Sequence, residues 1–301
     1  MILKQRPIPE ELLILRYLQG RLKDLDEDHL KILEKGFAGE LQWDSFVIDA
    51  LTTSSYLLLN DLLLTSSGGQ MFQIDSLFLR KKFTIFEVKN YDGEYFLEND
   101  RWYSITKTEI QNPLIQLQRT ETGFRRLLKD LGIHIPVEAY VVFVNPEFTL
   151  FNAPFHPSIL LSSQLKRFLQ KMKQETHEMT NKGQIIAEKI AACHIEKSPY
   201  IRLPSYSYED LEKGIRCGCC GKFVDLLNQA YIVCNSCGCK EHLEKAILRN
   251  IAEYKKLFPE GLLTTSAIFE WCRGIVSEKT IRRILKKNFQ IQSSKRHTYF
   301  I

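Results

Sequence analysis

Two β-rich runs, residues 72–79 and 83–89, are separated only by Arg80, Lys81 and Lys82. Their aromatic and β-branched content and the short basic connection predict a β-hairpin. With those three residues as the loop, Leu79 pairs with Phe83, and counting back sets Asp75 opposite Glu87. Opposed side chains lie about 4.5–5.5 Å apart at Cβ, and like charges there are destabilising. Lys89, two residues further on, shares the face of Glu87. A bound divalent cation is the simplest reason for two facing carboxylates and a lysine in an otherwise apolar hairpin. Such a cation neutralises an anionic phosphodiester and activates a water, and Mg²⁺ typically takes one or two carboxylates. The pattern predicts Mg²⁺ or Mn²⁺ on Asp75 and Glu87, with DNA or RNA as the partner. Lys89 then orients the attacking water or stabilises the phosphorus centre, and Glu40 is a candidate third carboxylate. The same residues admit a plainer account. Asp75 can end a strand, Glu87 and Lys89 can form a surface ion pair of little weight, and Glu40 can face a helix dipole.

The surrounding pattern predicts an α/β unit. Residues 1–30 read as a helical segment without chemistry, opened by Pro9, Glu10 and Glu11. From Gly36 a helix continues through Trp43, Phe46, Val47 and Leu51, followed by a strand near residues 56–61 and then the hairpin. Asn112 and Pro113 make a helix start. Residues 137–144 are a nearly continuous apolar run, the mark of a buried central strand. Helix, strands, helix, strand is the order of an α/β sandwich. Tyr91, Trp102 and Tyr103 follow the hairpin. Aromatics there can stack on bases, though Trp102 reads as a core residue.

Gly36-x-x-Gly39-Glu40, Asn60-Asp61, Gln73-Ile74-Asp75, Phe86-Glu87-Val88-Lys89-Asn90 and Asn112-Pro113-x-x-Gln116 occur in that order. This ordered set resembles the nuclease-related domain, NERD, which is similar to the PD-(D/E)XK nuclease superfamily. The resemblance covers roughly residues 31–150. It implies a mixed sheet flanked by helices, with Asp75, Glu87 and Lys89 as catalytic core and Glu40 and Gln116 in support. The superfamily's Pro-Asp is Ile74-Asp75 here.

Seven of the eight cysteines lie beyond residue 210. Cys217 to Gly221 and Cys234 to Gly238 each spell Cys-x-x-Cys-Gly, with thirteen residues between the inner cysteines. Without an export signal, such clustering points to metal rather than disulfides. Cys217, Cys220, Cys234 and Cys237 are the predicted ligands of a structural Zn²⁺ in a zinc ribbon. Cys219 and Cys239 are left over, His242 reads as a helix residue, and Cys193 and Cys272 as packing residues.

Residues 277–297 carry +6, more than the +5 of the whole chain, so the remainder sums to −1. Two short helices and a terminal hairpin predict a winged-helix-like module. Arg282, Arg283, Lys286, Lys287, Lys295 and Arg296 would meet phosphates, unless the helix merely presents a solvated face.

The predicted organisation is thus a helical segment (1–30), a nuclease-like domain (31–160), a helical segment and linker (161–210), a zinc ribbon (211–240) and a basic winged-helix-like module (241–301). No apolar run is long enough to span a bilayer and no signal-peptide pattern opens the chain, so a cytoplasmic location is expected. The expected function is metal-dependent cleavage of nucleic acid. Two rivals use the same parts: a non-cleaving nucleic-acid binder, and an adaptor whose zinc ribbon docks a protein partner.

Overall fold

The computed structural model describes residues 1–301 except 52–55, 154, 175–179, 225, 228–229 and 295–296, and leaves aside the side chains of 226, 227, 293, 294 and 297. In chain order the elements begin with β1 (Ile2–Lys4), α1 (Glu10–Leu18), α2 (Glu27–Leu51), β2 (Leu57–Thr65), β3 (Met71–Leu79) and β4 (Phe83–Lys89). Next come β5 (Gly93–Glu98), β6 (Arg101–Ser104), β7 (Glu109–Ile110), α3 (Pro113–Asp130), β8 (Val137–Phe143), β9 (Phe148–Phe151), β10 (Ile159–Leu160), α4 (Ser162–Gln174) and α5 (Asn181–Ala191). The last are β11 (Leu226–Leu227), β12 (Tyr231–Val233), β13 (Lys240–His242), α6 (Leu243–Leu257), α7 (Thr265–Trp271), α8 (Glu278–Asn288), β14 (Ile291–Ser294) and β15 (His297–Phe300). They fall into two units: residues 1–9 with 31–201, and residues 10–30 with 202–301.

The first unit is built on a six-stranded mixed sheet in the order β1-β2-β3-β4-β8-β10. Helices α2 and α4 cover one face, burying Trp43, Val47, Leu51, Leu165 and Leu169 against Phe78, Phe86 and Val142. The other face packs on Phe124 and Leu127 of α3, Ile190 of α5, and Trp102 and Phe148 of a second sheet ordered β7-β6-β5-β9. Apolar area on both faces explains the largely apolar runs of β4 and β8. Trp102 is 1% exposed, so it is a core residue. Tyr91 packs against Tyr95 and Phe143, and Tyr103 stacks on Phe96. Asn112 caps α3 by accepting the Leu114 N–H at 2.9 Å, with Pro113 at the first helical position.

The opening residues differ from the expected helix. Ile2–Lys4 form an edge strand parallel to β2, with Ile2 paired to Leu58. The three residues are too short to show a periodicity, and a waiting sheet edge captures them.

The two glycines of the Gly36-x-x-Gly39-Glu40 motif have different surroundings. A Cβ on Gly39 would lie 2.4 Å from Cβ of Asn90, just past β4, whereas one on Gly36 meets nothing within 4 Å. Gly39 therefore lets α2 approach the end of β4 and brings Glu40 to the sheet. Gly39→Ala is expected to destabilise the fold by about 1–3 kcal/mol through overpacking. Gly36→Ala, in the same helix, should be neutral or stabilising by about 0.5–1 kcal/mol. Paired urea melts of the two variants check this.

In the second unit, Leu12, Leu15 and Leu18 of α1 and Ile247 and Ile251 of α6 are buried. The Arg21 guanidinium is buried and bonds Glu253, Asn250 and the carbonyls of Glu212 and Gly214. Strands β11-β12-β13 form one small sheet and β14-β15 another, and Leu263 bridges to Phe300 beside the second. Lys240–His242 is a strand paired with β12, so His242, read as a helix residue, ends β13 and stands just ahead of α6.

Candidate functional site

The hairpin register follows from the turn: Leu79 pairs with Phe83 and Ser76 with Phe86. One step further lie Asp75 and Glu87, and there the backbone ladder stops. The Val88 N–H instead donates to Asp75 Oδ2 at 2.8 Å. The neighbouring ladder also skips a position, pairing Asn60 with Ser76 and Leu62 with Ile74 but not Asp61 with Asp75. Asp61 sits there in the left-handed region at φ 52°, and its carboxylate accepts from Gln73 Nε2 at 2.9 Å. Three acidic residues thus fall in one row across β2, β3 and β4, where like charges repel and the ladder gives way.

Glu87 is buried, and its Oε1 accepts from Lys89 Nζ at 2.8 Å. Lys89 Nζ also donates to Gln116 Oε1 of α3 at 2.9 Å. With side-chain exposures of 2% for Glu87 and 16% for Lys89, this is not the weak surface pair that the plainer account requires. Glu40, brought in by α2, is 21% exposed. The fold therefore gathers Asp75, Glu87, Lys89, Glu40 and Gln116 from four elements.

Sequence reasoning missed Arg6. It follows β1 in the segment read as helical and without chemistry, yet its side chain is only 2% exposed among the acidic groups. Nη1 donates to Glu40 Oε2 at 2.7 Å, and Nε and Nη2 to the two oxygens of Asp44 at 2.9 and 3.1 Å. Nη2 also reaches the Asp75 carbonyl and Ser76 Oγ. No local pattern marks Arg6, since its partners lie 34 to 70 positions away.

The electrostatics leave the carboxylates under-compensated. Burial first, then the charge of Asp75, pushes Glu87 up to about 7 and Glu40 up to about 8. Burial also raises Asp75, against the pull of Lys89 and the Val88 N–H. Burial pulls the Lys89 pKa down, but Glu87 and Asp75 more than offset it and hold it above the ordinary value. A buried cluster of carboxylates offering hard oxygen donors suits a hard divalent cation. Asp75, Glu87 and Glu40 nevertheless do not close into a mutual three-ligand set. Among the described residues, only cysteines do so, within 4.8 Å.

Because folding raises these carboxyl pKa values, their contribution to metal-free stability is full at low pH. It is lost as pH climbs from about 4.5 through about 8. A cation binding there must displace the retained protons. Titration with Mg²⁺ or Mn²⁺ near pH 7 is expected to release about one proton per ion, falling toward none above pH 9. Calorimetry in buffers of different ionisation enthalpy reads this directly.

Residues 35–144 match the family model of the nuclease-related domain. This supports the NERD resemblance, and the matched segment holds Glu40, Asp75, Glu87, Lys89 and Gln116 while leaving Arg6 outside. No curated protein and no solved structure matches the chain.

In the second unit, Cys217, Cys220, Cys234 and Cys237 form a four-cysteine cluster that could hold a metal such as zinc. Cys217 and Cys237 sulfurs are 3.6 Å apart, and those of Cys220 and Cys234 3.5 Å. Each knuckle closes on its glycine: Gly221 N–H donates to Cys217 O and Gly238 N–H to Cys234 O, both glycines at φ near +70°. Backbone donation from Cys237, opposed by burial, holds the Cys234 thiol down to about 6. Cys219 and Cys239, left over from the predicted ligand set, are joined as a disulfide. The Cys219 and Cys239 sulfurs lie within 4.8 Å of Cys217 Sγ, beside the four-cysteine cluster. His242 caps α6 without a side-chain bond and is not in the cluster. Cys272 is buried, and Cys193 packs at the edge of the main core.

Helix α8, capped by Ser277, buries Ile281, Ile284 and Leu285 and exposes Lys279, Arg282, Arg283, Lys286 and Lys287. Lys287 pairs with Glu244. Lys295 and Arg296 lie outside the described residues. Among the described residues, no helix is long and apolar enough to cross a membrane.

Proposed function

We propose that the NERD segment hydrolyses phosphodiester bonds of DNA or RNA with Mg²⁺ or Mn²⁺ held by Asp75 and Glu87. The observation that carries this is the buried Asp75–Glu87–Lys89–Gln116 network, with its carboxylates raised by burial and mutual repulsion. A divalent cation there would supply charge neutralisation and an acidified water. Gln116 fixes Lys89, which faces the scissile phosphate and stabilises its developing charge. Glu40, held by Arg6, accepts a proton from the incoming water. The order α6, α7, α8, β14, β15, with Leu263 at the small sheet, supports a winged-helix-like module. In that reading α8 engages phosphates, and a zinc ribbon built on the four cysteines braces it.

The test is incubation of plasmid, linear DNA and RNA with Mg²⁺, Mn²⁺ or chelator. Metal-dependent cutting supports the proposal. Tight salt-dependent binding without cutting moves it to the non-cleaving reading, and salt-insensitive failure to bind moves it to the adaptor. Arg282→Ala with Arg283→Ala is expected to weaken binding. The slope of log K against log salt should fall by about 0.9 for each phosphate that is no longer neutralised.

A further inference from the structure

We infer that Arg6 stands, as a fixed cation, in place of a second metal ion, so that the carboxylate site takes a single divalent cation. The inference rests on the phosphodiesterase reading and concerns a residue outside the matched segment. Two-metal phosphodiesterase sites need carboxylates shared between ions. Here the carboxylates that a second ion would draw on are already occupied. Both oxygens of Asp44 and one of Glu40 accept from Arg6, and the same guanidinium bonds the Asp75 carbonyl. Arg6 stays charged at any working pH and is only 2% exposed, so a second ion would have to expel a buried, fully engaged side chain.

The charge balance agrees. Glu40, Asp44, Asp75 and Glu87 bring four negative charges, and Arg6 and Lys89 return two. Asp61 is balanced by Lys4, whose ammonium bonds the Asn60 and Asp61 carbonyls. The remaining −2 matches one divalent cation. A second would leave the buried site at +2 before any phosphate arrives.

The test counts Mn²⁺ on the full, zinc-loaded chain by calorimetry and electron paramagnetic resonance, alongside cleavage. Wild type is expected to bind one Mn²⁺ in the carboxylate site, with the spectrum of an isolated ion. Arg6→Gln should bind two and show dipolar broadening, whereas Arg6→Lys, which keeps the charge, should stay at one. Should Arg6→Gln fail to fold, Arg6→Gln with Asp44→Asn removes the stranded carboxylate and restores the −2 balance, so it should stay at one ion, and two ions on it would overturn the inference. Two ions on wild type overturn the inference and leave the nuclease reading intact, as does one ion on a folded Arg6→Gln protein. No Mn²⁺ on wild type overturns both.

Discussion

Replacing Asp75 with Asn, or Lys89 with Ala, is expected to lower metal-dependent cleavage by about 10²–10³-fold or more, the scale seen when one preorganised electrostatic group is lost. The two substitutions act differently. Asparagine keeps an oxygen that can accept the Val88 N–H now received by Asp75 at 2.8 Å, so the strand geometry survives while the ligand charge goes. Alanine at 89 removes the cation between Glu87 and Gln116. A buried partner left unpaired ordinarily costs about 3–5 kcal/mol. Glu87, already pushed up to about 7, escapes much of that cost by holding a proton. Lys89→Ala should therefore fold at neutral pH and become less stable as pH rises. Single-turnover cleavage beside thermal melts at pH 6 and pH 8.5 separates the two effects. Cutting at wild-type rates by both folded variants would place the activity elsewhere.

Removal of a metal held by the four-cysteine cluster is expected to have the largest effect on stability. Structural zinc supplies about 10–16 kcal/mol of apparent binding free energy in small zinc-dependent modules. Strands β11 to β13 are two or three residues each, too little to fold without such a staple. Cys220→Ser or Cys237→Ser should reduce zinc from one ion per chain to none and unfold this sheet. The damage should reach α6, because Arg249 donates to the Arg216 carbonyl at 2.6 Å and pairs with Glu241 on β13. Cys219→Ser and Cys239→Ser should leave the zinc content unchanged, since those residues bond each other. Metal analysis and hydrogen exchange across residues 215–257 measure both outcomes. Full zinc in the Cys220 and Cys237 variants would overturn the ligand assignment.

What was legible in the chain was what short-range geometry enforces. The three-residue turn set the Leu79–Phe83 register. Asn112 and Pro113 set the start of α3, and repeated Cys-x-x-Cys-Gly set both knuckles. Each depends on residues within a few positions, where backbone stereochemistry leaves few choices. Less was legible where a partner is distant. The first residues carry no pattern of their own and take their structure from the exposed edge of β2.

The sequence by itself determined the α/β pattern, the hairpin register that leads to Asp75 and Glu87, the two Cys-x-x-Cys-Gly repeats and the basic character of α8. Alternation, turn length and ligand spacing are local properties, and they survive without knowledge of the fold. Only the tertiary structure decided that Glu87 and Lys89 are buried, that Gly39 rather than Gly36 sets the approach of α2, and that Cys219 meets Cys239. It also decided that Arg6 closes the acidic site. Burial and long-range pairing arise when distant segments pack, and a guanidinium's role is fixed by the carboxylates that packing places around it.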